Sequence, residues 1–232
     1  MSLEAIRGGL VVSVQAPPGS PLARPETMSA IARAAELGGA AGIRAEGEAD
    51  IRAITGAVNV PVIGLVKRDV PGSPVRITPS LDDARAVAGA GAHVVAFDAT
   101  LRARPGGMAT HDFVAALAAE LETPLLGDVD SLEAGVAARA AGADAVATTL
   151  SGYTRESGVA EQPDLELVER LVAELDCPVL AEGRYATQDD VAAAFDAGAF
   201  AVVVGTAITD PTALTRRLAA GAGRSRSHGA PR

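Results

Sequence analysis

Short aliphatic runs, each closed by one or two polar residues and followed by apolar positions at helical spacing, recur along the whole chain. Leu10 to Val14 stops at Gln15, Ala41 to Arg44 ends in its arginine, Pro61 to Val66 stops at Lys67, and His93 to Phe97 stops at Asp98. Pro124 to Gly127 stops at Asp128, Ala145 to Thr149 ends in threonine, Pro178 to Ala181 stops at Glu182, and Ala201 to Val204 stops at Gly205-Thr206. Unbroken apolar runs of this length are how strands buried on both faces read. The intervening periodicity predicts helices over 26–37, 48–57, 80–88, 111–121, 131–141, 165–175, 187–197 and 211–220, with a short leading helix over 1–7. Ser80 with Asp83, and Thr187 with Asp190, have capping-box spacing at two of the starts.

A weak internal repeat underlies this alternation. Gly39-Ala40, Gly91-Ala92, Gly142-Ala143 and Gly198-Ala199 each precede an even-numbered strand, roughly 50 to 56 residues apart, while the third, fifth and seventh strands open on proline. A βα unit repeated in this way predicts one (β/α)8 TIM barrel of the phosphate-binding type, spanning residues 1–220, with a disordered basic tail at 221–232. The alternative, a doubly wound open sheet, calls for a glycine-rich turn after the first strand, and QAPPG does not supply it. In a barrel the polar stops share one rim, at the strand C-termini. A solvated rim of no function is the plain alternative for any one of them.

Composition narrows the function. The 232 residues are 48% hydrophobic but only 3% aromatic, without tryptophan, and carry a net charge of −9. That balance argues against a nucleic-acid surface, which needs basic clusters and stacking aromatics. The single cysteine, Cys177, makes no internal disulfide and is expected to pack. No apolar run approaches a membrane span or a signal core, so the expectation is a soluble cytoplasmic protein.

The strongest local chemical signal is at the last two strands, where Gly183-Arg184 and Gly205-Thr206-Ala207 can turn backbone N–H groups toward a phosphate dianion. The same glycines also suit plain tight turns. Lys67 at a strand end fits a general base, a Schiff-base nucleophile, a phosphate contact or a rim lysine paired with Asp69. His93, His111 and His228 are scattered and give no metal spacing; Asp98, Asp128 and Glu182 could hold a hard cation but are not a specific pattern. No cofactor or metal is therefore expected.

The phrases GGLVVSVQAPPGSPL, GGAAGIRAEG, VPVIGLVKRD, ITPSLDD, VVAFDAT, TTLSGYT, PVLAEGRY and AVVVGTAIT are recognisable together. Over Gly8 to Leu218 the chain resembles the bacterial N-acetylmannosamine-6-phosphate 2-epimerases, cofactor-free TIM barrels of amino-sugar and sialic-acid catabolism. The resemblance implies Lys67 as the residue that removes and returns the C2 proton, with Glu182 positioning it. It implies Gln15, Arg44, Asp128 and Ser151 as contacts to the opened sugar, and Gly183, Arg184, Gly205 and Thr206 as the phosphate site. It further implies a phosphosugar as the small-molecule partner and a homodimer. Two departures stand out: Val14 occupies a position usually held by cysteine, and Asp210 one usually held by a phosphate-binding arginine, for which Arg184 or a residue such as Arg216 is the expected compensation. Two rival readings are another phosphate-binding barrel enzyme, which needs no Lys67/Glu182 pair, and a non-enzymatic sugar-phosphate sensor.

Overall fold

The computed structural model describes residues 2–17 and 19–222. Its strands are β1 (Leu10–Val14), β2 (Gly42–Glu46), β3 (Val62–Leu65), β4 (Val94–Asp98), β5 (Leu125–Asp128), β6 (Ala145–Ala147), β7 (Val179–Glu182) and β8 (Ala201–Val204). Each pairs in parallel with its sequence neighbours and β8 pairs with β1, which closes the barrel in sequence order. The helices are α1 (Pro25–Leu37), α2 (Glu48–Thr55), α3 (Leu81–Gly89), α4 (Thr110–Glu120), α5 (Leu132–Ala140), α6 (Leu165–Glu174), α7 (Gln188–Asp196), α8 (Thr206–Thr209) and α9 (Pro211–Ala219). Thr187 and Asp190 form a reciprocal capping box at α7, and Ser80 accepts from the Asp83 N–H at α3. The tail expected at 221–232 lies, from residue 223 onward, outside the described residues.

Strand residues alternate between two cores, as a two-residue side-chain period requires. Val11, Ile63, Leu65, Val94, Leu126 and Leu180 fill the barrel interior, whereas Val12, Ile43, Val62, Val95, Leu125 and Val179 pack against the helices. The N-terminal residues Leu3–Ile6 form a 3-10 turn, shorter than the helix expected over 1–7, whose Ile6 is buried with the interior set. Gly8 N–H donates to the Phe200 carbonyl at 2.8 Å, so the segment leading into β1 is tied to the residue that leads into β8.

Two differences from the sequence expectation bear on the site. First, β2 does not stop at Arg44 but runs on to Glu46, pairing Glu46 with Leu65 of β3, so Arg44 is an interior strand residue. Second, the long segment between β3 and α3 folds back on itself. Lys67 and Ile77 form an antiparallel bridge, Arg68 N–H donates to the Arg76 carbonyl at 3.0 Å, and Asp98 N–H donates to the Ile77 carbonyl at 3.0 Å. The returning arm thus binds both the extension of β3 and the end of β4, and Ile77 joins the interior core.

Tight spacing of sheet and helices explains Gly64 in β3. A Cβ there would lie 2.6 Å from the Ala92 Cβ and 2.8 Å from the Val87 Cγ1, atoms without a flexible tail to swing aside. Gly64→Ala is expected to destabilise by about 1–3 kcal/mol through overpacking. At Gly89 nothing lies within 4 Å, so Gly89→Ala in α3 should be neutral or stabilising by up to about 1 kcal/mol. Urea unfolding of the two variants checks the contrast.

Candidate active site

The strand alternation that places Ile63 and Leu65 inward also places Lys67 inward, and the same count selects Ser13 and Gln15, Arg44 and Glu46, Asp98, Asp128, Thr149, Glu182 and Gly205. Nearly all of these line one cavity of about 1140 Å³ at the C-terminal ends of the strands. Asp128 is fully buried and stands behind that wall, and the Ser151 side chain does not reach it.

The floor of the cavity is a buried ionic cluster. Arg44 is 1% exposed and donates through Nη1 and Nη2 to Asp128 Oδ1 and Oδ2 at 3.0 and 2.5 Å; Nη1 also lies 2.9 Å from Glu182 Oε2. A bidentate arginine–carboxylate pair of this kind fixes the guanidinium plane as well as its charge. Thr149 Oγ1 lies 2.6 Å from Asp128 Oδ1 and 3.0 Å from Glu182 Oε2, and its one proton serves one of them at a time. Burial raises the Glu182 carboxyl above the ordinary carboxylate range. Arg44 opposes that shift, Asp128 adds to it, and the Thr149 hydroxyl and Lys67 charge oppose it again. Removing a carboxylate from water without full compensation favours its protonated form.

Lys67 projects higher on the wall, with its side chain 37% exposed. Its Nζ donates to Gln15 Oε1 at 2.5 Å and lies 3.2 Å from Glu46 Oε2, while Gln15 Nε2 donates to Ser13 Oγ at 2.9 Å. The amine is therefore oriented by Gln15 and Glu46, and Glu182 is held by Arg44 and Thr149 instead. Glu46 escaped the sequence reading because β2 was ended at Arg44; counting two residues further along the same strand face finds it.

At the opposite side, Gly183 (φ +119°) and Arg184 (φ +67°) carry the turn after β7. The first conformation suits glycine, and the second costs a residue with a Cβ about 1–2 kcal/mol. Arg184 is held there by donating through Nε to the Gln162 carbonyl at 2.6 Å and through Nη1 to the Ser151 carbonyl at 2.8 Å, with Tyr153 beneath the guanidinium at 5.1 Å. Ser151 spends its hydroxyl on Asp164, the N-cap of α6, so it supports this loop instead of meeting the cavity. Gly205 is the N-cap of α8, a helix that the sequence periodicity missed because it has only four residues. Gly183, Arg184, Gly205 and Thr206 all line the cavity.

On the β4 side, Asp98 accepts from Arg102 Nη2 at 2.6 Å and from Thr100, with its carboxyl raised chiefly by burial. Arg104, pushed down to about 10 by burial, stacks over Phe113 at 3.5 Å and donates to the Asp98, Thr78 and Pro79 carbonyls, fastening the folded-back arm to β4. Cys177 is half-buried and burial raises its thiol, while His93 Nδ1 accepts from the Val62 N–H at 3.1 Å. Among the described residues no group of three or more His, Cys, Asp and Glu side chains is placed to hold a metal ion. No helix among them is long and apolar enough to cross a membrane.

Comparison with known proteins follows the same outline. Residues 28–223 match the family model described as "Putative N-acetylmannosamine-6-phosphate epimerase". A relative in Cutibacterium acnes, named "Putative N-acetylmannosamine-6-phosphate 2-epimerase", is 47% identical over 215 residues, 92% of this chain and 93% of its own. One of the same name in Thermosynechococcus vestitus is 50% identical over 204 residues, 88% and 89% of the two chains. The solved N-acetylmannosamine-6-phosphate 2-epimerase of Clostridium perfringens superposes with a TM-score of 0.89 at 39% identity, covering 94% of each chain. Thiamine phosphate pyrophosphorylase of Pyrococcus furiosus, at 18% identity and a TM-score of 0.61, shares the fold.

The cluster makes two testable demands. Asp128→Ala leaves Arg44 buried without its bidentate partner and is expected to cost about 3–5 kcal/mol in urea unfolding. Glu182 binds its proton more tightly folded than unfolded, so its contribution to stability is full below the unfolded carboxylate value and is lost as pH rises through the higher folded one. The stability of Glu182→Gln relative to the parent should therefore increase across that window, measured by unfolding at stepped pH; a flat difference would contradict the raised carboxyl.

Proposed function

The chain belongs to the N-acetylmannosamine-6-phosphate epimerase family, and from that premise we propose that it interconverts N-acetylmannosamine 6-phosphate and N-acetylglucosamine 6-phosphate. The observation that carries the proposal is a half-exposed amine, Lys67, and a buried guanidinium, Arg44, on one cavity wall, with the Gly183-Arg184 and Gly205-Thr206 turns on the same cavity. In the open-chain sugar C2 lies beside the C1 aldehyde. Lys67 takes the C2 proton; the electron pair moves toward C1 and the charge gathers on O1. Arg44, already fixed by Asp128, stabilises that oxygen without reorganising.

Reprotonation on the other face of C2 completes the epimerisation. Glu182, with its carboxyl raised and reached from the same cavity, suits a proton donor for that face. Gln15 and Glu46 orient the lysine amine. The phosphate is assigned to the amides of Gly183, Arg184, Gly205 and Thr206, and no cofactor is required by this scheme. The homodimer implied by the family likeness is part of the proposal, and sedimentation equilibrium measures it directly.

Another phosphate-handling barrel enzyme would use the same phosphate end without the amine and carboxyl pair; a panel of phosphosugars separates the two. In heavy water, N-acetylmannosamine 6-phosphate should epimerise with deuterium appearing at C2 by proton NMR. Lys67→Ala should lose on the order of 10³-fold in both exchange and turnover, as removal of a general base does. Exchange at the parental rate in that variant would sink the lysine assignment, and no turnover of any phosphorylated amino sugar would sink the function.

A further inference from the structure

The end of the cavity that would hold the phosphate has a second wall, made by α9. Asp210, Ala213, Leu214 and Arg217 line it, spaced as one face of a helix repeats. Asp210 to Arg217 is two turns, about 10 Å of rise, and helical side chains lean toward the N-terminus of their helix. Arg217 is exposed and, with Gly205 and the α8 residues Thr206, Ala207 and Thr209, borders the same cavity.

The charges on the wall single it out. Arg44 is matched by Asp128 and Glu182, Lys67 by Glu46, Arg76 by Asp69 and Arg102 by Asp98. Arg184 also has no carboxylate partner among the described residues, but its guanidinium is tied through Nε and Nη1 to two backbone carbonyls, which fix its position without neutralising it. Arg217 makes no ion pair with any described carboxylate, although it lies on the wall of a protein whose net charge is −9. Asp210, the one acid on its face of α9, is turned to the Ala213 N–H at 3.0 Å as the N-cap. Arg216 precedes it but does not line the cavity.

We propose that Arg217 is a phosphate-binding and specificity-determining residue, whose guanidinium, without an ion pair among the described residues, meets the substrate's phosphate from α9 in the cavity that the turns after β7 and β8 also line. The proposal rests on the phosphosugar reading for its substrate, but it predicts anion binding that can be measured without turnover. A dianion in an acidic protein needs cations that are not already neutralised and are free to turn toward it, and a planar guanidinium meets phosphate oxygens in pairs. Its role is discrimination: the sugar end is read by Arg44 and Lys67 whether or not a phosphate is present.

Arg217→Ala should raise KM for N-acetylmannosamine 6-phosphate about 10- to 100-fold, the range of one charge-assisted hydrogen bond, with kcat within about twofold. It should weaken inorganic phosphate by the same factor in calorimetry, and leave kcat/KM for unphosphorylated N-acetylmannosamine unchanged. Arg217→Lys should recover part of the loss, and Arg216→Ala, one residue away and off the cavity, should match the parent. Equal losses for phosphorylated and free sugar would assign Arg217 a structural role and overturn the proposal, as would parental phosphate affinity in Arg217→Ala. If the parent turns over no phosphosugar yet binds phosphate through Arg217, the epimerase reading fails and the phosphate site stands.

Discussion

A guanidinium that is 1% exposed cannot remain in a protein interior without counter-charge, and Arg44 draws its surroundings into place through that need. Asp128 from β5 and Glu182 from β7 meet it across the barrel mouth, and Thr149 after β6 bridges the two carboxylates. Four strands are thus locked by one charge. The cost is two acids close together in a dry site, and Glu182 bears it by holding its proton more firmly. A cluster assembled to satisfy one cation also prepares a proton donor and an electrophilic pocket.

The barrel was legible because eight parallel strands, buried on both faces, leave unbroken aliphatic runs, and polar stops then share one rim. Lys67, Asp98, Asp128 and Glu182 were found that way. Strand length was less legible. Arg44 reads as a terminator, since an apolar run ends on it, whereas it is an inward residue with Glu46 two places further on. A charged side chain inside a barrel looks like a strand end until its partners on distant strands are known. Ser151 sits in a polar loop that suits either a contact or a scaffold, and only its bond to Asp164 separates the two. The folded-back arm between β3 and α3 has no periodicity to read, because its hydrogen bonds go to β4 and to the extension of β3.

Charge placement reconciles an acidic chain with an anionic substrate. Acids on the cavity wall are matched locally, as Glu46 is to Lys67 and Asp98 to Arg102, or turned to a helix N-terminus, as Asp210 is. What faces a ligand is consequently less negative than the composition implies. Net charge describes the approach to the protein, and local pairing describes the pocket.

The floor of the barrel has a kinetic meaning. Ile6 fills it and Gly8 is bonded to Phe200, while β1 completes its sheet only with β8. Of the eight barrel strands β1 is made first, and it must wait for β8 before its second edge is covered. Until that moment Leu10–Val14 is an apolar strand with one open side, the kind of edge that recruits other chains. The arrangement that makes the finished barrel edgeless leaves the growing one an exposed interval, and it ends only when β1 and β8 find each other.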